Sequence, residues 1–291
     1  MNKVFGVIIG AVLIAAALML AYVGIRHHLG WDWNLPRHDS SANGASDHAS
    51  PVALDNAAHP LDAALELARQ VQENIEHNVH DYTATVVKQE RYAGQLKPPQ
   101  FCDIKIRSQP FSVYMKFVAP EDVKGQEALY VAGANDSKLI GHAGSGAAAL
   151  VGSLWLDPRG PIAMLGQRYP ITDMGIATLT KKLIEVGEHD RQYGECYVWR
   201  NDQAKVGDRP CISITVMHPQ RRSAFIFHIA RIFIDKELMV PVHYEAYDWP
   251  EQEGGPPLLL ESYTYVNLKL NPGLTDADFD PHNPDYHFGL K

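Results

Sequence analysis

Two periodicities divide the chain. From Leu61 the apolar residues Leu61, Ala64, Leu65, Ala68, Val71 and Ile75 recur three and four positions apart, which is the stripe of a helix buried on one side and predicts helix over 62–77. Glu66, Arg69, Gln70, Gln72 and Glu73 fall on its other side and read as a solvated face. Beyond it the spacing shortens to two. Runs at 82–92, 101–107, 111–118, 127–132 and 138–142 are bounded by Gly, Pro, Asn or Asp, as strands are. In 111–117 the odd positions Phe111, Val113, Met115 and Phe117 are apolar while Ser112 and Lys116 alternate with them, predicting an antiparallel strand with one buried face.

The small apolar stretch 145–152, the Leu154-Trp155-Leu156 triplet, a Pro/Gly break at 157–161 and the run 162–165 precede a second helix. It is predicted over 173–188, with Thr172 or Asp173 as N-cap and Leu179, Leu183 and Val186 on one face. Together these form a helical insertion in the middle of a sheet. Strand signals then resume at 193–200, 210–218, 224–235, 240–248 and 258–270. Residues 224–234 are apolar at both parities, so that strand is expected to be covered on both sides: Phe225, Phe227, Ile229 and Phe233 fall on one face, Ile226, Ala230, Ile232 and Ile234 on the other. Long helices between successive strands are absent, which argues against a parallel α/β sheet. The fold class predicted is α+β, a curved antiparallel sheet wrapping helices, followed by an irregular tail over 280–291.

Upstream the pattern is different in kind. Residues 4–25 carry no charge, and as a helix at about 1.5 Å per residue they reach about 33 Å, enough for a hydrocarbon core of about 30 Å. Residues 1–30 are therefore read as a transmembrane anchor, with a cleaved secretory signal as the alternative. Trp31 and Trp33 suit a membrane interface, and 38–60, rich in Ser, Ala, Asn, Asp, His and Pro, reads as linker. The organisation expected is anchor or signal over 1–30, linker over 31–60 and one β-rich domain over 61–291. Charge does not fix the orientation, because Lys3 on one side opposes Arg26 and Arg37 on the other. Export of the large domain across that membrane is expected, whether it then stays tethered or is released by cleavage of the segment.

Composition narrows the partners. A net charge of −8 lacks the basic footprint that nucleic acid requires and gives no polybasic attraction to anionic lipid. Three cysteines are too few and too scattered for a thiolate metal cluster. Cys196 and Cys211 lie on runs joined by the polar loop 201–209, so a cross-strand disulfide and a pair of buried thiols both stand as readings. Fourteen histidines, His77, His80, His282 and His287 among them, form no recognised ligand spacing, and no metal or cofactor is predicted. Gly141-His-Ala-Gly-Ser-Gly146 lacks the Lys-Ser/Thr end of a phosphate loop and the Gly of a nucleophile elbow, and reads as a loop. Lys88, Glu90 and Arg91 fall where they could form a charged patch on one strand, and solvated cross-strand pairs explain them as well.

Val86-Val-Lys-Gln-Glu-Arg-Tyr-Ala-Gly94, Pro110-Phe-Ser-Val-Tyr-Met-Lys-Phe117, Gly125-Gln-Glu-Ala-Leu-Tyr130 and Arg168-Tyr-Pro-Ile-Thr172 resemble an uncharacterised family of exported or membrane-anchored bacterial domains. Ile232-Phe-Ile-Asp-Lys-Glu-Leu-Met-Val-Pro241 and Asn267-Leu-Lys-Leu-Asn-Pro-Gly-Leu-Thr-Asp-Ala-Asp-Phe279 are similar to the C-terminal half of the lipoprotein carriers LolA and LolB. The resemblance implies an incomplete β-barrel whose apolar cavity takes acyl chains, and a place in the bacterial cell envelope, anchored in the inner membrane with the domain in the periplasm, or secreted if the segment is cleaved. Phe111, Val113, Met115 and Phe117 are then the expected cavity wall and Trp155, Met164 and Leu165 the expected lid, unless all seven simply fill a core. The expected function is a non-enzymatic extracytoplasmic binding protein for a lipid, a lipoprotein acyl chain or another apolar ligand. Two alternatives are an envelope interaction module with a filled barrel and, with less support, a hydrolase.

Overall fold

A computed structural model describes residues 59–290. The expected anchor and nearly all of the linker lie outside these residues. Among the described residues no helix is long and apolar enough to cross a membrane.

Twelve strands form one sheet, antiparallel at every pairing. Helix α1 (Asp62–Asn78) leads into β1 (Asp81–Tyr92), the two-residue β2 (Gln95–Leu96), β3 (Gln100–Arg107), β4 (Ser112–Ala119), β5 (Glu127–Val131) and β6 (Leu139–His142). A single turn, α2 (Gly146–Ala149), and a three-residue strand, β7 (Leu154–Leu156), follow. Helix α3 (Ile176–Asp190) precedes β8 (Tyr197–Val206), β9 (Arg209–Met217), β10 (Ile229–Asp235), β11 (Pro241–Asp248) and β12 (Leu258–Leu270). The strand order is β7-β6-β5-β4-β3-β1-β12-β11-β10-β9-β8, with β2 against β1. Both ends of this path are edges, so the barrel is open.

The order corrects the expected insertion. Residues 157–196 do not interrupt the sheet; they link its two edges, β7 and β8. On the way they lay α3 across one face, where Leu179, Leu183 and Val186 pack against Phe227, Ala230, Tyr244 and Ala246. The start of α3 is also displaced from its expected caps. Residues Ile171–Asp173 form a 3₁₀ turn, and the cap is Gly175 at φ 106°, where the Tyr82 hydroxyl accepts from the Ile176 N–H at 3.0 Å. A Cβ at Gly175 would stand 2.8 Å from that hydroxyl, so a buried tyrosine holds the cap that sequence assigns to a side chain. Helix α1 buries Leu65, Leu67, Val71 and Ile75 and is tied to α3 by Arg69–Glu188 and Asp62–Arg191 pairs.

Three further expectations change. Strand β4 is buried on both faces, because the irregular tail crosses the outer side of β4–β6 and Tyr286 stacks on Tyr114 at 3.8 Å, beside Phe279 and Phe288. The strand expected over 224–235 begins only at Ile229; Phe227 joins the α3 cluster, Phe225 stacks on His218, and Ile226 is exposed. Finally, β8 runs on to Val206, so the turn falls at 207–208 and the register sets Cys211 opposite Ala204. Cys196 lies beyond the other end of the pair, packed on Leu61 and Leu65. Of the two readings held open for Cys196 and Cys211, the register agrees with buried thiols rather than a disulfide, and all three cysteines are free and buried.

Candidate functional site

The inward face of the sheet can be followed strand by strand from the register. Period 2 on β1 places Tyr82, Ala84, Val86, Lys88 and Glu90 on one side. Cross-strand partners extend this side through Cys102 and Ile104 on β3 to Phe117 and Met115 on β4, then to Ala128 on β5, Gly141 on β6 and Leu154 on β7. In the other direction Lys88 faces Tyr263 and Glu90 faces Glu261 on β12, and Tyr263 faces Tyr244 on β11.

Side-chain size along this face decides whether it is filled. Ala128 and Gly141 are directly opposed and supply almost no bulk, and α3 crosses the sheet above β10–β12 rather than above them. A cavity of about 670 Å³ results, lined among others by Met115, Phe117, Leu139, Leu156, Ile171 and Leu179. Its remaining walls come from α3, from residues 162–175, a strap that follows β7, from Ala148, Val151 and Gly152 ahead of β7, and from Ile226 and Phe227 in the link between β9 and β10. The expected wall and lid residues divide accordingly. Met115, Phe117 and Leu165 line the cavity. Val113 has the right parity but is fully buried in the main core, and Phe111 packs beside Tyr130. Trp155 points to the opposite side of β7 from Leu154 and Leu156, and Met164 lies in a turn of the strap between the lining residues Ala163 and Leu165.

One stretch of the wall is polar, and the reading of Lys88 and Glu90 as solvated residues is overturned there: both are buried. Lys88 Nζ lies 3.3 Å from Glu90 Oε2 and donates to Gln167 Oε1 of the strap. The Tyr263 hydroxyl donates to Glu90 Oε1 at 2.6 Å. Arg168 Nε donates to Glu261 Oε2 at 2.9 Å, and the Tyr169 hydroxyl donates to Glu261 Oε1 at 3.0 Å. Two carboxylates and two cations thus balance, and three consecutive strap residues are pinned to β1 and β12. Burial pushes the Glu261 carboxyl above its ordinary range, opposed chiefly by the Arg168 guanidinium. Burial likewise raises the Tyr244 and Tyr263 hydroxyls, so both remain protonated donors at neutral pH. Asp173 fixes the far end of the strap, accepting from Arg159 at 2.8 Å and from Lys182 of α3 at 2.7 Å.

Arg91, by contrast, has the outward parity and donates from Nε to the Leu259 carbonyl at 2.9 Å. The signal that distinguishes it from Lys88 and Glu90 is parity alone: the latter two share the register of Tyr82, Ala84 and Val86. The Gly141–Gly146 loop is a close-packing device, since a Cβ at Gly144 would stand 2.1 Å from the Lys124 carbonyl oxygen.

Residues 79–288 match the family described as a protein of unknown function, DUF1571. No curated protein matches the chain. Among solved structures it is similar to the lipoprotein LppX of Mycobacterium tuberculosis, at 12% identity over 75% of this chain and 100% of that one, with a TM-score of 0.43. An uncharacterized conserved protein from Thermus thermophilus aligns at 11% identity over 75% of this chain and 93% of that one, TM-score 0.42. A LolA superfamily protein from Nitrosomonas europaea aligns at 11% over 73% and 97%, TM-score 0.32.

Proposed function

Starting from the chain's membership of the DUF1571 family, whose function is open, we propose that this protein is a membrane-tethered, extracytoplasmic binding protein that holds an acyl chain of a lipid or lipoprotein. The observation that carries the reading is the hollow in the sheet. If a methylene takes about the space of a water molecule, about 30 Å³, 670 Å³ accommodates on the order of 20 methylenes, each worth about 0.8 kcal/mol on leaving water. A filled interior would have favoured the interaction module; an open apolar cavity this size leaves its lining in contact with water unless an apolar ligand occupies it. In this reading Met115, Phe117 and Leu165 touch the chain, and the Lys88, Glu90, Glu261 and Tyr263 stretch faces the ligand's polar end. An amphipathic ligand suits such a cavity better than a pure hydrocarbon does.

The enzyme reading draws less support, since Glu90 and Glu261 are committed to Tyr263, Arg168 and Tyr169. Residues 4–25 supply the tether, confining the domain to the face of one membrane, where it receives or presents ligand. Native mass spectrometry of the full chain tests the reading: a lipid-sized adduct that a competing fatty acid displaces is expected. A bare protein that takes up no fatty acid would sink it.

A further inference from the structure

The rim of the cavity is unlike the rest of the surface. Leu150, Val151, Ile162, Leu165 and Ile226 are between 63% and 89% exposed. They come from three separate parts of the chain: the end of α2, the strap, and the link between β9 and β10. Val151, Ile162, Leu165 and Ile226 also line the cavity, so this apolar surface is continuous with the interior at its mouth. Leu154 of the edge strand β7, about two-fifths exposed and also lining the cavity, extends it on one side. Single exposed aliphatic residues need no explanation, but a contiguous set around one opening does.

We propose that this rim docks on the phospholipid bilayer to which the chain is tethered, inserting its aliphatic side chains so that an acyl chain passes from membrane to cavity without crossing water. The proposal rests on the acyl-binding reading above and adds the surface through which ligand enters. Three considerations select a bilayer as the occupant. An acyl chain exposed to water during transfer forfeits about 0.8 kcal/mol per methylene, and a rim in contact with the acyl region removes that barrier. Residues 26–58, between the apolar segment and the described domain, span at most about 110 Å at about 3.4 Å per residue, so the rim always lies within reach of that membrane. Lys182, the cation on the α3 side of the cavity, is paired with Asp173, and the chain carries a net charge of −8, so the contact is apolar rather than electrostatic. Zwitterionic lipid therefore suffices, and salt has little effect.

The test uses the full chain in phosphatidylcholine vesicles containing lipid spin-labelled on the acyl chain. An environment-sensitive fluorophore is attached at Leu165→Cys or Leu150→Cys and, as the control, at Asp208→Cys, in the turn at the far end of β9 from Ile226; the native cysteines are buried. Quenching at positions 165 and 150 is expected to exceed that at 208 at least twofold, at both low and high salt. In the Ile162→Ser/Ile226→Ser background it is expected to fall to the control level. Equal quenching at all positions overturns the proposal. So does a rim shielded from aqueous iodide but not quenched by lipid, which would point to a protein partner. The same labels are read with vesicles added from outside if the chain does not stay anchored. Uptake of a fluorescent fatty acid by the unlabelled chain and by the sample labelled at position 150, which does not line the cavity, separates the two readings. Normal uptake with an unquenched rim refutes docking alone, and a quenched rim without uptake refutes ligand binding alone.

Discussion

Filling the cavity separates binding from folding. Ala128 and Gly141 oppose each other on β5 and β6 with their faces toward the void. A Cβ at Gly141 would meet Leu139 Cδ1 at 3.4 Å and Leu156 Cδ1 at 3.7 Å, which are ordinary contacts, so a larger side chain has room. The double variant Ala128→Leu/Gly141→Leu adds seven carbons, about 200 Å³ at about 30 Å³ each, or roughly a third of the 670 Å³. A ligand filling the cavity would lose burial of about seven methylenes, at most about 5–6 kcal/mol. A chain that slides or bends recovers part of that, so a loss of at least about 2.8 kcal/mol, a hundredfold in Kd, is expected. Stability should move the other way or not at all, because a void is filled and a strand glycine removed. The assay is titration of a fluorescent fatty acid into the full-length protein, paired with calorimetric Tm. An unchanged Kd in a variant with an unchanged or higher Tm would falsify the assignment of the cavity as the ligand site.

Arg168→Met leaves the buried Glu261 carboxylate without its cation and should cost about 2–3 kcal/mol at neutral pH. Because the Glu261 pKa is raised in the folded state, its contribution to stability is intact below about pH 4.5 and declines as pH rises through the shifted value; removing Arg168 raises that pKa further. The deficit measured by urea unfolding should therefore be larger at pH 8 than at pH 5, and a pH-independent deficit contradicts the coupling. Tyr286→Ala removes the stack on Tyr114 and uncovers the outer face of β4–β6, with an expected loss of about 3 kcal/mol; a change under about 0.5 kcal/mol would show the tail to be dispensable. The thiols offer the simplest check. Burial pushes Cys102 up to about 12 and Cys196 and Cys211 up to about 11, so none should alkylate in the native protein and all three should do so on unfolding without reductant. A cross-linked 196–211 peptide in a non-reducing digest contradicts the register described for β8 and β9.

The local elements follow from the chain's own periodicity. Helix α1 and strands β1, β3–β6, β9, β11 and β12 lie within a residue or two of where the spacing of apolar residues puts them, because each buries one face and that spacing is a local property. The curved antiparallel sheet was legible through the order of those elements, and the family through the resemblance that a handful of motifs carry. What the sequence could not supply was anything that depends on a second segment. The polar loop 201–206 is strand because β9 pairs with it, and that shift of the turn is what separates Cys196 from Cys211. Tyr114 is buried because a tail some 170 residues away lies over it. Lys88 and Glu90 could have been placed inward by their parity with Val86, but that burial is tolerable only with Arg168, Tyr169, Tyr263 and Glu261 at hand, three distant segments in one place. The hollow is the extreme case. Met115 and Phe117 read identically in a packed core and in a cavity wall, since apolar character reports only exclusion from water. Whether the volume opposite them is filled depends on Ala128, Gly141 and the path of α3, and these meet only when distant parts of the chain pack together.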